Sequence, residues 1–101
     1  PLTAQGKHDL DAMKAAGDGD TAAVILCSPN NPTGTSLTEK EVRDFLAEIP
    51  PSVLVVLDEA YFEFDTLKGH VDGARLLAEF SNLLVLRTFS KAYGLAGLRC
   101  G

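Results

Sequence analysis

Three short polar clusters carry residue types from which a chemical site could be built. They are Ser28-Pro29-Asn30-Asn31-Pro32-Thr33-Gly34-Thr35, Asp58-Glu59-Ala60-Tyr61 and Arg87-Thr88-Phe89-Ser90-Lys91, with Arg99 further on, about two turns past Lys91 if the path is helical. A carboxylate at the floor of a crevice keeps a heteroaromatic nitrogen protonated, because the adjacent negative charge stabilises the cation. An amide and a phenol hydrogen-bond a phenolate oxygen. A lysine amine forms an imine with an aldehyde, and hydroxyls with an arginine fork hold a phosphate dianion. Taken singly, each cluster has an ordinary reading: Asn-Pro and Thr-Gly are turn chemistry, an aspartate ending a strand caps a turn, and Ser-Lys is surface. Taken together, they require a fold that gathers three distant segments.

The hydrophobic pattern supplies such a fold. Ala22 to Cys27, Val53 to Leu57 and Leu83 to Leu86 are short continuous apolar runs, the pattern of parallel strands buried on both faces. Between the first two, Thr38 and Glu41 form a capping box, and Val42, Phe45, Leu46 and Ile49 follow at helical spacing until Pro50-Pro51 ends the segment. A shorter helix is predicted over Asp72 to Phe80 from Leu76, Leu77 and Phe80, and another over Asp9 to Ala16, closed by Gly17. Strand, helix, strand, helix, strand is the order of crossover connections in an α/β parallel sheet. Ligands in such sheets sit beyond the carboxyl ends of the strands, where each polar cluster falls.

Composition narrows the function classes. The 101 residues are 46% hydrophobic and 23% charged, so they suit one folded unit rather than a disordered or fibrous chain. A net charge of -5 repels a phosphate backbone and an anionic bilayer, which argues against nucleic acid and membrane partners. No apolar run approaches the ~20 residues needed to span a membrane. Cys27 and Cys100 are too few and too far apart for a disulfide framework or a metal site, which points to a reducing, cytoplasmic setting. A nucleotide-hydrolysing domain, with Asp58-Glu59 as its magnesium-binding strand end, lacks the phosphate loop G-x-x-x-x-G-K-[ST].

The ligand groups inferred above are those of pyridoxal 5'-phosphate taken one by one. The runs Ser28 to Gly34, Val56-Leu57-Asp58-Glu59-Ala60-Tyr61-Phe62 and Arg87-Thr88-Phe89-Ser90-Lys91-Ala92-Tyr93-Gly94-Leu95-Ala96-Gly97-Leu98-Arg99 resemble, in order and spacing, three central motifs of fold-type-I aminotransferases. The branch most resembled is that of the histidinol-phosphate and aromatic-amino-acid enzymes. The resemblance implies that Lys91 bonds the cofactor aldehyde and acts as the catalytic base. It further implies that Asp58 pairs with the pyridinium nitrogen, that Asn31 and Tyr61 bind the ring oxygen, and that Thr88, Ser90 and Arg99 contact the phosphate. It also implies a cis bond between Asn31 and Pro32. Glu59 is read as a structural partner, Phe89 and Tyr93 as packing, and His8 and His70 as exposed or capping residues without a role.

By the same resemblance, residues 1–101 are an internal fragment of the cofactor-binding large domain, from the middle of a larger sheet. The substrates would be an amino donor and a 2-oxo acid, and the working unit a homodimer. A decarboxylase or lyase of the same fold type fits these motifs too, because the choice of bond broken at Cα depends on residues outside them. Alone, the chain is expected not to transaminate and to associate through uncovered sheet edges and faces, as a folded piece without activity.

Overall fold

The computed structural model describes residues 1–101 throughout. Three parallel strands form one sheet in the order β1 (Ala23–Cys27), β2 (Leu54–Asp58), β3 (Leu83–Leu86). All three lie within a residue of the predicted apolar runs. The register sets Leu26 beside Leu57 and Leu57 beside Val85, and a second rung joins Cys27, Asp58 and Leu86.

Helix α1 (Leu10–Ala16) precedes β1, and α2 (Glu39–Glu48) crosses from β1 to β2. The capping box of α2 forms as the sequence requires: the Glu41 N–H donates to Thr38 Oγ1 at 3.2 Å, and the Thr38 N–H donates to Glu41 Oε2 at 2.8 Å. Val42, Phe45 and Leu46 point inward and are buried against Leu26, Val55 and Leu57. Burial of that size is worth about 1.5–3 kcal/mol per side chain. Helix α1 is shorter, capped by Asp9 accepting from the Ala12 N–H at 2.9 Å. It lays only Leu10 and Met13 against the core. Gly17 closes it in an extended rather than a left-handed conformation.

The predicted helix over Asp72 to Phe80 does not form. In its place a 3-10 turn, Gly73–Arg75, runs into further tight turns that still bury Leu76 while leaving Leu77 exposed. The reason is tertiary: Gly73 is packed against Leu57 and Val85 with no room for a Cβ, its N–H goes to the buried Glu59 carboxylate at 2.7 Å, and Leu76 is buried. Between these fixed points the backbone closes in tight turns, the Arg75 and Leu76 N–H groups donating to the Asp72 and Gly73 carbonyls at 3.0 Å. The sheet is also covered on one face only. Val24, Leu26, Val55, Leu57, Leu83 and Val85 pack under α1, α2 and the segment after Val71. The opposite face presents Ile25 at 64% exposure and Leu54, Leu84 and Leu86 above 40%. Crossovers of one hand put both connections on the same side of consecutive strands, so these residues form a single covering layer. No helix is long and apolar enough to cross a membrane.

Candidate active site

Because the strands are parallel, all three polar clusters leave the sheet at one edge, just past the rung of Cys27, Asp58 and Leu86. The loop after β1 is tightly tied. Ser28 is buried and its Oγ accepts the Leu37 N–H at 2.8 Å, while the Asn30 N–H donates to the Thr35 carbonyl at 2.8 Å. Gly34 completes the turn at φ +71°, where a side chain would be strained. The Ser28–Pro29 and Asn31–Pro32 bonds are both cis, the second as expected and the first not foreseen.

From this loop Asn31 Nδ2 donates to the Tyr61 hydroxyl at 3.1 Å. The ammonium of Lys91 lies 5.3 Å from the centroid of the same phenol ring, within cation–π range, and no carboxylate lies within salt-bridge distance of it. Asn31, Tyr61 and Lys91, from three separate segments, therefore meet. A cleft of about 310 Å³ lined by Asn31, Pro32, Tyr61 and Phe64 opens beside them. Asp58 ends β2 half-buried; its Oδ1 accepts the Ala60 N–H at 3.0 Å and its other oxygen takes no hydrogen bond from the chain.

Past β3, the Ser90 N–H donates to Thr88 Oγ1 at 3.0 Å, and Gly94, at φ +66°, closes a turn on the Lys91 carbonyl. A helical path from Lys91 to Arg99 is not what forms. The chain folds back, so that the Leu95 N–H reaches the Phe89 carbonyl at 3.0 Å and the Phe89 N–H reaches the Cys100 carbonyl at 3.3 Å. Arg99 is thereby returned alongside the Thr88–Ser90 turn, in a left-handed conformation (φ 52°, ψ 45°) that costs a non-glycine residue roughly 1–2 kcal/mol. Its guanidinium donates to the Ala96 carbonyl at 3.0 Å, and no side-chain hydrogen bond joins Arg99 or Asp58 to the other candidate residues.

The family model for aminotransferase class I and II matches residues 1–101. The chain belongs to that family. It is 56% identical over 100 residues to a histidinol-phosphate aminotransferase of Bacillus subtilis, covering 99% of this chain and 28% of that protein. It is also 56% identical over 101 residues to an aromatic amino acid aminotransferase of Cutibacterium acnes, covering 100% of this chain and 29% of that one. Among solved structures, it superposes on histidinol-phosphate aminotransferase from Sinorhizobium meliloti in complex with pyridoxal-5'-phosphate. That match has a TM-score of 0.87 at 37% identity and covers 98% of this chain and 27% of the other. The chain thus spans about 28% of the length of the curated relatives it matches.

Behind the candidate site of this aminotransferase-family chain lies a group of residues whose partnership is not legible in the sequence. Glu59 faces the core and is fully buried; it accepts from the Gly73 N–H and from Arg87 Nε at 2.9 Å. Arg87 also donates to Asp72 Oδ1 at 2.7 Å, and its Cζ lies 3.8 Å from the centroid of the Phe62 ring. Burial pushes the Glu59 carboxyl above its ordinary range, opposed by the Gly73 N–H and the Arg87 guanidinium. The structural reading of Glu59 is thus supplied with its partners. Of the two histidines, His70 caps its own turn, its Nδ1 lying 2.9 Å from the Leu67 carbonyl, while His8 meets the backbone of β1. His8 Nε2 lies 3.1 Å from the backbone nitrogen and 3.2 Å from the carbonyl of Cys27, on the edge of β1 away from β2. His70 packs edge-on against Phe62. Phe89 and Tyr93 pack on one another, as expected, with ring centroids 5.4 Å apart.

Proposed function

We propose that these residues form the cofactor-binding core of an aminotransferase that moves an amino group between a 2-oxo acid and either an amino acid or histidinol phosphate. The observation that carries this reading is the meeting of Asn31, Tyr61 and Lys91 around one phenol, at the strand edge that also bears Asp58. The residues present fit pyridoxal 5'-phosphate: a half-buried carboxylate with one oxygen uncommitted, an amide–phenol pair, an amine without an anionic partner, and two hydroxyls beside an arginine. When bound, that group supplies an electron sink for the electrons left at the substrate's Cα.

The chain's own residues would do the rest. Lys91 supplies the amine that holds the aldehyde carbon and, once the substrate's amine has displaced it, takes and returns a proton at Nζ. Asp58 offers its uncommitted oxygen to a protonated ring nitrogen and keeps it protonated by charge. Asn31 and Tyr61 bind and orient the ring's oxygen, and Thr88, Ser90 and Arg99 anchor the phosphate through hydroxyls and a planar fork. We place the working protein in the cytoplasm as a homodimer, in keeping with free cysteines at 27 and 100 and with the family resemblance.

The test uses the full-length protein. Adding pyridoxal 5'-phosphate should produce the absorbance band of a protonated imine, Lys91→Ala should abolish it, and amino donor with 2-oxoglutarate should yield keto acid. A band that survives Lys91→Ala refutes the assignment of Lys91. Loss of carbon dioxide or elimination in place of amino transfer refutes the reaction class.

A further inference from the structure

Asp58, Tyr61 and Thr88 each sit next in sequence to a member of the group behind the site. Glu59 follows Asp58, Phe62 follows Tyr61, and Arg87 precedes Thr88. The three members meet at one guanidinium, which bonds the Glu59 carboxylate at 2.9 Å and stacks on Phe62 at 3.8 Å. A strand turns successive side chains to opposite faces, so Glu59 reaches into the core while its neighbour Asp58 faces the site. The Glu59 N–H also donates to the Leu86 carbonyl at 2.8 Å, so backbone and side chain both bridge the ends of β2 and β3. We infer that Arg87 is a positioning residue: through Glu59 and Phe62 it locks the residues beside Asp58, Tyr61 and Thr88 into one frame, fixing their spacing for the cofactor. This inference rests on the functional reading above.

The geometry favours a frame over a simple surface ion pair. Glu59 is fully buried, and its remaining capacity is filled by the Gly73 N–H at 2.7 Å. Asp72 holds a further edge of the fork at 2.7 Å. An arginine presents planar donors and a stacking face together, whereas a lysine presents only a point charge. Arg87→Lys therefore keeps the charge near Glu59 and loses both the fork and the stacking.

The experiment compares the full-length wild-type protein, Arg87→Lys and the double variant Glu59→Leu/Arg87→Met, which removes the buried carboxylate together with its guanidinium while leaving the Gly73 N–H and the half-exposed Asp72 without those partners. For each, the cofactor-free thermal midpoint is measured, then the dissociation constant for pyridoxal 5'-phosphate and the pH midpoint of its absorbance band. The expected result is that Arg87→Lys keeps a thermal midpoint near that of the wild type, that the double variant folds with a lowered midpoint because the buried Gly73 N–H loses its acceptor, and that both bind the cofactor about tenfold more weakly and shift the pH midpoint. Folded variants with unchanged affinity and unchanged pH midpoint overturn the inference and leave Arg87 a purely structural partner. If the double variant does not fold, Arg87→Lys decides by the same two readouts. A wild-type protein with no Lys91-dependent band overturns the functional reading itself, a failure distinct from unchanged variants of a binding-competent protein.

Discussion

Gly73 shows how tightly single residues are fitted behind the site. A Cβ there would lie 2.8 Å from side-chain carbons of both Leu57 and Val85 and 3.2 Å from Glu59 Oε1. The first two belong to the packed core, so Gly73→Ala is expected to destabilise the protein by about 1–3 kcal/mol. Denaturant unfolding of the full-length variant checks this, and an unchanged midpoint would show that Leu57 and Val85 can move aside. At this scale the sequence spoke unevenly. Asp58 and Lys91 stood out because charged residues following apolar strands in a partly buried place need partners or a purpose. The partnership of Glu59 with Arg87 did not, because the two directly follow different strands and only the register of β2 and β3 brings them together.

Elements set by local chemistry were legible, and those set by distant contacts were not. The capping box of α2 and the double proline after it are written in adjacent residues, and the helix spans what they dictate. The segment after Asp72 has leucines at helical spacing, but the packing of Gly73 and Leu76 onto the core overrides that pattern. The outer edge of β1 is another long-range feature: His8 Nε2 pairs with the backbone of Cys27, accepting its N–H when unprotonated and donating to its carbonyl when protonated. Burial holds the His8 imidazole below its ordinary pKa, against the opposing pull of the Cys27 carbonyl. A lowered folded-state value means that the unfolded chain binds more protons in the window below the ordinary imidazole value of about 6.5. Stability from His8 is therefore complete above that value and declines as the pH falls. Unfolding titrations at pH 7 and pH 5 should show a smaller loss for His8→Gln than for the wild type; equal losses would remove His8 as the cause.

For the molecule as a whole, the uncovered sheet face dominates. The apolar runs announced strands shielded on both sides, and the chain shields one. Ile25, Leu54, Leu84 and Leu86 form a contiguous apolar surface on neighbouring strands, the kind that drives association. Expressed alone, the 101-residue chain should sediment as oligomers or aggregates and show no amino transfer to 2-oxoglutarate. Ile25→Lys with Leu84→Glu should shift it toward smaller species. A monomeric wild-type chain in sedimentation velocity would contradict this.

The rung that joins Cys27, Asp58 and Leu86 is the common line from which the three loops rise. Each loop's height above the sheet is measured from that line, and a strand advances about 3.3 Å per residue while reversing its faces. One residue inserted early in β2 would thus do more than displace the amide–phenol pair. It would swing the aspartate into the packed layer and the glutamate out to the uncovered side, exchanging a half-buried acid that bonds only its own turn with a buried acid that holds a guanidinium.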